Sequence, residues 1–116
     1  MEVLIVDDDV DLLEMVSLVL RRHAMTVTCL VNGSGVLESI QTKKPDIILM
    51  DIYLGDSDGR DLCRTIKSTK EFQDIPVILY SAGNIPAASI ETSGANDFIT
   101  KPFDISVLVN KINKEV

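Results

Sequence analysis

Three short runs in this chain are apolar without a break: Val3-Leu4-Ile5-Val6, Ile47-Ile48-Leu49-Met50 and Val77-Ile78-Leu79-Tyr80. A strand with one wet face alternates apolar and polar side chains, whereas a strand covered on both faces does not. Runs of this kind belong in the middle of a parallel sheet with helices packed on either side. The intervening segments supply those helices. Leu12, Val16, Val19 and Leu20 fall on one helical face. Thr26 to Val31, β-branched and bounded by Asn32-Gly33, reads as a second strand. Ser34 to Thr42 reads as a short helix with Val36, Leu37 and Ile40 on one side, stopped by Lys44-Pro45.

The polar stretch from Gly55 to Gly59 reads as a loop, with Asp58 placed to cap a helix carrying Leu62, Cys63 and Ile66. Asn84 to Ser93 predicts a weaker helix, with Pro86 in its first turn and Gly94 as its stop. Asp97 to Thr100 makes a short fifth strand. Asp104 then caps a last helix carrying Ile105, Leu108, Val109 and Ile112. Five strands alternating with five helices predict an α/β fold: one doubly wound domain over residues 1–116, a parallel sheet with right-handed crossovers and helices on both faces.

Composition narrows the function. A chain of 116 residues, 46% hydrophobic and 25% charged, has the balance of an ordered domain with a single core. Its formal net charge of −7 repels phosphate backbones and anionic bilayers, so neither direct nucleic-acid binding nor membrane binding is expected. No apolar run approaches the roughly 20 residues that span a bilayer, and an opening that runs into three aspartates is not a secretory signal. Cys29 and Cys63 stand far apart, with no CxxC and no histidine beside either. That sets aside zinc sites, haem attachment and disulfide scaffolds and points to the reducing cytoplasm. Both cysteines read as core fillers. His23 ends the first helix, where a positive charge suits the dipole, and is assigned no chemistry.

In doubly wound sheets, ligands collect outside the carboxyl ends of the strands. Those ends carry Asp7-Asp8-Asp9 after the first strand, Asp51 after the third, Ser81-Ala82 after the fourth and Lys101-Pro102 after the fifth. Asp9 and Asp58 are explained as helix caps. Asp7, Asp8 and Asp51 are not, because capping does not call for three acids converging with Ser81 and Lys101. Clustered carboxylates resist ionising unless a cation joins them, and an all-oxygen donor set suits Mg²⁺, or Mn²⁺ in its place. A metal-neutralised aspartate beside an ammonium group can receive or move a phosphoryl group.

Other readings share parts of this pattern. Asp7-Asp8-Asp9-Val10 matches the nucleophile motif of haloacid-dehalogenase-type phosphatases, but that class places its second acidic cluster after the lysine, and Asp56 and Asp58 precede both Ser81 and Lys101. Asp56, Asp58 and Gly59 fit an EF-hand calcium loop in part, yet Leu54 and Thr65 hold its first and last ligand positions. A flavin mononucleotide carrier would need a Ser/Thr/Gly-rich phosphate loop where this chain has three aspartates.

In order along the chain come Val-Leu-Ile-Val-Asp-Asp-Asp, Pro-Asp-Ile-Ile-Leu-Met-Asp-Ile, Pro-Val-Ile-Leu-Tyr-Ser-Ala and Gly-Ala-Asn-Asp-Phe-Ile-Thr-Lys-Pro-Phe. This series, running from Val3 into the last helix, resembles the receiver domain of two-component response regulators, of the chemotaxis-regulator kind. The resemblance implies a flavodoxin-like sheet in the order 2-1-3-4-5. It also implies a phospho-accepting switch in phosphorelay signalling, catalysing only its own phosphorylation and dephosphorylation. By the same resemblance, Asp51 is the phospho-acceptor, Asp8 a direct Mg²⁺ ligand and Asp7 a ligand acting mainly through water. The main-chain carbonyl of Tyr53 is a further ligand. Ser81 hydrogen-bonds the phosphoryl group, Lys101 pairs with its oxygens, and Phe98 is an aromatic switch that turns inward with Ser81. The Lys101-Pro102 bond is expected to be cis.

The implied partners are a sensor histidine kinase or phosphotransfer protein and an output domain or protein, reached through the fourth helix, fifth strand and fifth helix. The implied oligomeric state is a monomer with the option of a phosphorylation-dependent dimer. The loop departs from the family pattern: where a small apolar residue, then Pro and Gly, then Met before Asp-Gly are usual, this chain has Tyr53-Leu54-Gly55-Asp56-Ser57-Asp58-Gly59. The missing Pro predicts a looser loop. Tyr53 sits where a side chain shields an acyl phosphate from water, and Gly83 offers no side chain to position that water, so both bear on the lifetime of the phosphate.

Overall fold

The computed structural model describes residues 1–116. In chain order the elements are β1 (Glu2–Val6), α1 (Val10–Arg22), β2 (Thr26–Leu30), α2 (Val36–Lys43), β3 (Ile47–Asp51), the short β4 (Tyr53–Leu54) and β5 (Ser57–Asp58), α3 (Gly59–Ser68), β6 (Val77–Ser81), α4 (Ala87–Ser93), β7 (Asp97–Thr100) and α5 (Ile105–Glu115). The apolar runs occupy the three central positions of a five-stranded parallel sheet ordered β2-β1-β3-β6-β7. That is the expected flavodoxin-like order with a hairpin, β4-β5, inserted after the third strand.

Strand alternation divides the core in two. Val3, Ile5, Leu49, Ile78, Tyr80 and Ile99 pack with Leu13, Val16 and Leu20 of α1 and Leu108, Val109 and Ile112 of α5. Leu4, Val6, Ile48, Met50, Val77 and Leu79 pack with Val36 and Ile40 of α2 and Cys63 and Ile66 of α3. Each such Leu or Ile contributes about 1.5–3 kcal/mol by leaving water. Register therefore matters for the site as well as the core: a slip of one residue in β3 would turn Asp51 away from the α1/α5 face.

Local chemistry sets the helix ends. Asp9, Asp58 and Asp104 cap α1, α3 and α5 by accepting from the amides of Leu12, Arg60 and Ser106 at 3.2, 2.8 and 3.0 Å. Helix α2 starts at Val36 rather than Ser34, because the Asn32 side chain engages the Ser34 amide at 3.2 Å and its hydroxyl at 2.7 Å, holding a turn there. It ends at Lys44, φ +48°. Helix α4 is shorter than expected. Pro86 disfavours helical geometry at the residue before it and offers no side-chain cap, so the helix begins at Ala87. Gly94 closes it at φ +82°, and Lys101-Pro102 is cis.

Two further sequence expectations need correction. The stretch from Gly55 to Gly59, expected to be a loop, holds the turn and second strand of a hairpin that pairs Tyr53 with Asp58 and Leu54 with Ser57. Gly55 supplies its left-handed turn at φ +52°. Leu54 anchors it in the α2/α3 cluster, and the Asp56 carboxylate accepts from the Gly33 amide at 2.9 Å. Cys63 is a buried core filler, but Cys29 is exposed. It lies on the edge strand beside α1, with Sγ 3.0 Å from the Ser17 hydroxyl of that helix.

The ion pair between Asp97 and Lys111, 2.8 Å, ties β7 to α5. Burial pushes the Asp97 carboxyl up, but the hydrogen bonds from Lys111 and the Phe98 amide outweigh it and hold the group below its ordinary range. A carboxylate depressed in the folded state stabilises the fold above its unfolded pKa of about 4. That contribution is lost as pH falls through the folded value. Lys111→Met is therefore expected to lower the urea midpoint at pH near 7 and to leave it almost unchanged once Asp97 is protonated. Equal losses at both pH values would contradict this.

Candidate functional site

Side chains of one parity share one face of a strand. Asp7 follows Val3 and Ile5, Asp51 follows Ile47 and Leu49, and Lys101 follows Ile99, so all three rise from the α1/α5 face at the carboxyl rim. Strands β1 and β3 pair as far as Val6 and Met50, which sets Asp7 and Asp51 side by side one residue further on. Lys101 Nζ reaches both, 2.9 Å from Asp51 Oδ2 and 3.0 Å from Asp7 Oδ2.

Asp7 is fully buried, and its Oδ1 accepts from the Asp9 amide at 2.9 Å. Asp51 is 6% exposed, and its Oδ1 accepts from the Tyr53 amide at 3.1 Å. Asp8 is exposed, yet carboxylate oxygens of Asp7, Asp8 and Asp51 lie within 4.8 Å of one another. Burial pushes the Asp51 carboxyl above its ordinary range, against the pull of the Lys101 ammonium. Burial acts the other way on Lys101, but its bonds to Asp51 and Asp7 more than offset it and keep the ammonium charged. With all three carboxylates ionised, one ammonium leaves the cluster short of neutral by the charge of a divalent ion. The donor set is oxygen alone, which suits a hard cation.

Ser81 ends β6 and is fully buried, on the α2/α3 face with Leu79. Its Oγ accepts from the Gly83 amide at 3.4 Å, and its carbonyl accepts from the Lys101 amide at 2.9 Å. Phe98 pairs in register with Leu79 and packs in the cluster that includes Ile85 and Ile90. Ser81 and Phe98 thus share a face with α4, and neither is hydrogen-bonded to the carboxylates. Tyr53 is 54% exposed, and its ring edge lies 3.7 Å from where a side chain at Gly83 would begin. Asp58 is committed to Arg60 at 2.6 Å, and Asp56 to Gly33 and Ser57, so neither joins the cluster and the calcium-loop reading gains nothing.

Two residues that sequence reasoning passed over also shape the site. Gly59 opens α3 hard against the end of β3: its amide donates to the Ile52 carbonyl at 2.7 Å, and a Cβ there would overlap the Asp51 carbonyl oxygen and lie 3.0 Å from Ile52 Cα. Tyr80 pairs in register with Asp51 and lies under the Lys101 ammonium, 4.9 Å from Nζ to the ring centroid. The signal for Tyr80 was available in its parity with Asp51 across neighbouring strands, but only once the strand order was assumed.

A family model described as the response regulator receiver domain matches residues 3–113. The chain belongs to this family. Among curated relatives of the receiver domain, the transcriptional regulatory protein CseB of Streptomyces coelicolor is 41% identical over 115 residues, covering 95% of this chain and 47% of CseB. The CAI-1 autoinducer sensor kinase/phosphatase CqsS of Vibrio cholerae is 35% identical over 113 residues, covering 95% of this chain and 16% of CqsS. The chain therefore spans less than half the length of these relatives. Solved receiver structures agree in fold. The signal receiver domain of a signal transduction histidine kinase from Syntrophus aciditrophicus superposes with a TM-score of 0.92 at 30% identity, covering 98% of this chain and 88% of that one. The BeF3-activated N-terminal receiver domain of Klebsiella pneumoniae RstA gives 0.88 at 28% identity, covering 99% and 97%. No helix of the receiver domain is long and apolar enough to cross a membrane.

Proposed function

We propose that this receiver domain, residues 1–116, is a phospho-accepting switch in which Asp51 takes a phosphoryl group from the phosphohistidine of a sensor histidine kinase or phosphotransfer protein. The observation that carries the reading is the ammonium of Lys101 held between two buried carboxylates at a strand-end rim, 2.9 and 3.0 Å away. The carboxylates of Asp7, Asp8 and Asp51 and the main-chain carbonyl of Tyr53 would hold Mg²⁺ or Mn²⁺, which when bound offsets their repulsion and shares the charge of the phosphoryl oxygens. Asp8, being exposed, would be the direct ligand and Asp7, held by Lys101, one acting through water.

An Asp51 carboxylate oxygen forms the new bond to phosphorus as the bond to the imidazole nitrogen breaks and its electron pair returns to the ring. Lys101 exchanges its contact with Asp51 for the phosphoryl oxygens, so the charge that arrives meets a cation already in place. Ser81 Oγ leaves the Gly83 amide to donate to the phosphoryl group. Phe98, on the same face, turns inward behind it, and the surface of α4, β7 and α5 changes shape. Helix α4 spans residues 87–93 and has no side-chain N-cap, which supports its role as the element of low local stability that switching requires. Hydrolysis of the acyl phosphate resets the domain, with Tyr53 and Gly83 flanking the path of water.

The reading implies a cytoplasmic domain, with an output domain or protein reading the altered face or a dimer formed through it. Similarity to both CseB and CqsS supports a phosphorelay role. Mixing the domain with radiolabelled acetyl phosphate and Mg²⁺ is expected to yield a single phosphoryl group per chain, released by hydroxylamine as an acyl phosphate should be. Chelating the metal with EDTA is expected to abolish the label. Labelling that survives EDTA would remove the metal from the reading; no label with Mg²⁺ from either acetyl phosphate or a panel of kinases would overturn the reading itself.

A further inference from the structure

Strand β6 lies between the strand that carries Lys101 and the strands that carry Asp51 and Asp7. Neighbouring strands are about 4.8 Å apart, so the lysine side chain has to cross whatever β6 presents in that row. What it presents is Tyr80, which pairs with Asp51 on one side and Ile99 on the other. The ring is 2% exposed. Phe103 packs edge-on against it, with centroids 5.7 Å apart and planes at 65°, and its hydroxyl lies 3.5 Å from the Val6 carbonyl oxygen. The ring is thus a fixed plate, and Nζ of Lys101 sits over it at 4.9 Å from the centroid, inside the range of about 6 Å in which an aromatic face attracts a cation.

We infer that Tyr80 is a positioning residue for phosphotransfer, its ring face holding the Lys101 ammonium at the rim while Asp51 changes from carboxylate to acyl phosphate. The inference rests on the phosphotransfer reading above and names a residue that acts through Lys101. Before transfer, two carboxylates fix the ammonium. On phosphorylation the charge of the Asp51 carboxylate is replaced by that of the phosphoryl oxygens, so the ammonium has to exchange one contact for another. A long lysine side chain between partners gains rotamer freedom and swings toward water. The attraction of the ring does not depend on the state of Asp51, so it holds the ammonium where the phosphoryl oxygens arrive.

The test is the rate of phosphorylation of Asp51 by acetyl phosphate at saturating Mg²⁺. Tyr80→Leu is expected to slow it about tenfold and Tyr80→Phe to stay within about twofold, since the face and not the hydroxyl matters. In a Lys101→Ala background, Tyr80→Leu is expected to cause no further slowing; an equal loss there would mean the ring supports the fold and not the lysine, and would overturn the inference. Mono-, di- and trifluorinated phenylalanine at position 80 keep the shape while draining the face of negative charge, so they report even where Tyr80→Leu does not fold. A stepwise fall in rate supports the inference, and a flat series overturns it. Wild-type protein that takes no label, or an Asp51→Asn variant that takes as much, would sink the phosphotransfer reading; a labelled wild type with a flat series sinks only the role of Tyr80.

Discussion

Asp51→Asn is expected to reduce hydroxylamine-labile phosphate to background after mixing with a phosphodonor and Mg²⁺, and to leave the thermal midpoint equal or higher. The amide has nearly the shape of the carboxylate, and its oxygen can still accept from the Tyr53 amide, a bond of 3.1 Å in the native chain. What it lacks is a nucleophilic oxygen anion. The stability expectation follows from the sign of the pKa shift. Burial raises the Asp51 carboxyl, so above its folded pKa the ionised form costs the folded state free energy relative to the unfolded chain, a cost an uncharged amide does not carry. Lys101 keeps its bond to Asp7 at 3.0 Å, so its ammonium is not left unpaired. Loss of label together with a collapsed melting transition would point to a structural lesion instead; label that persists would move the acceptor elsewhere.

Gly59→Ala is expected to be the more damaging change to the fold, although it adds only a methyl group. The added Cβ would overlap the Asp51 carbonyl oxygen and press on Ile52 Cα at 3.0 Å. Both neighbours are backbone of the buried third strand and its exit, which cannot rotate aside. Either α3 moves off the sheet, opening the contacts of Cys63 and Ile66, or the end of β3 moves and takes Asp51 with it. Overpacking of this sort costs about 3 kcal/mol, a fall in Tm of roughly 10–15 °C for a domain of this size. On the proposed reading phosphorylation should slow as well, because the Asp51 carboxylate is carried on the displaced backbone. A variant with unchanged Tm would show that the α3–β3 contact is not tight in solution.

Much of this was legible in the residues. Runs such as Ile47 to Met50, apolar at every position, can be satisfied only between two layers, and the caps Asp9, Asp58 and Asp104 act within three residues of themselves. Local rules failed where a distant or competing contact intervened. The stretch from Gly55 to Gly59 looked like loop because its polar residues suggest one, but the hairpin it belongs to seats Leu54 among the side chains of α2 and α3, and Asp56 has a partner 23 positions away. Cys29 looked like core because its residue type is usually buried, but it lies on an edge strand, which has a neighbouring strand on one side only, and it is exposed there.

The periodicity of side chains along the chain was enough to decide which segments are strands and helices, which faces they bury, and that acids, a serine and a lysine stand at the strand ends, because all of this depends on neighbours within a few residues. It could not say that one ammonium would sit 2.9 Å from a carboxylate 50 positions away and 3.0 Å from another 94 positions away, across the face of Tyr80. That arrangement exists only when β6 is laid between β7 and β3 in register, and the order of strands in a sheet is settled by how the helices cover its two faces, a property of the whole chain and of no segment within it.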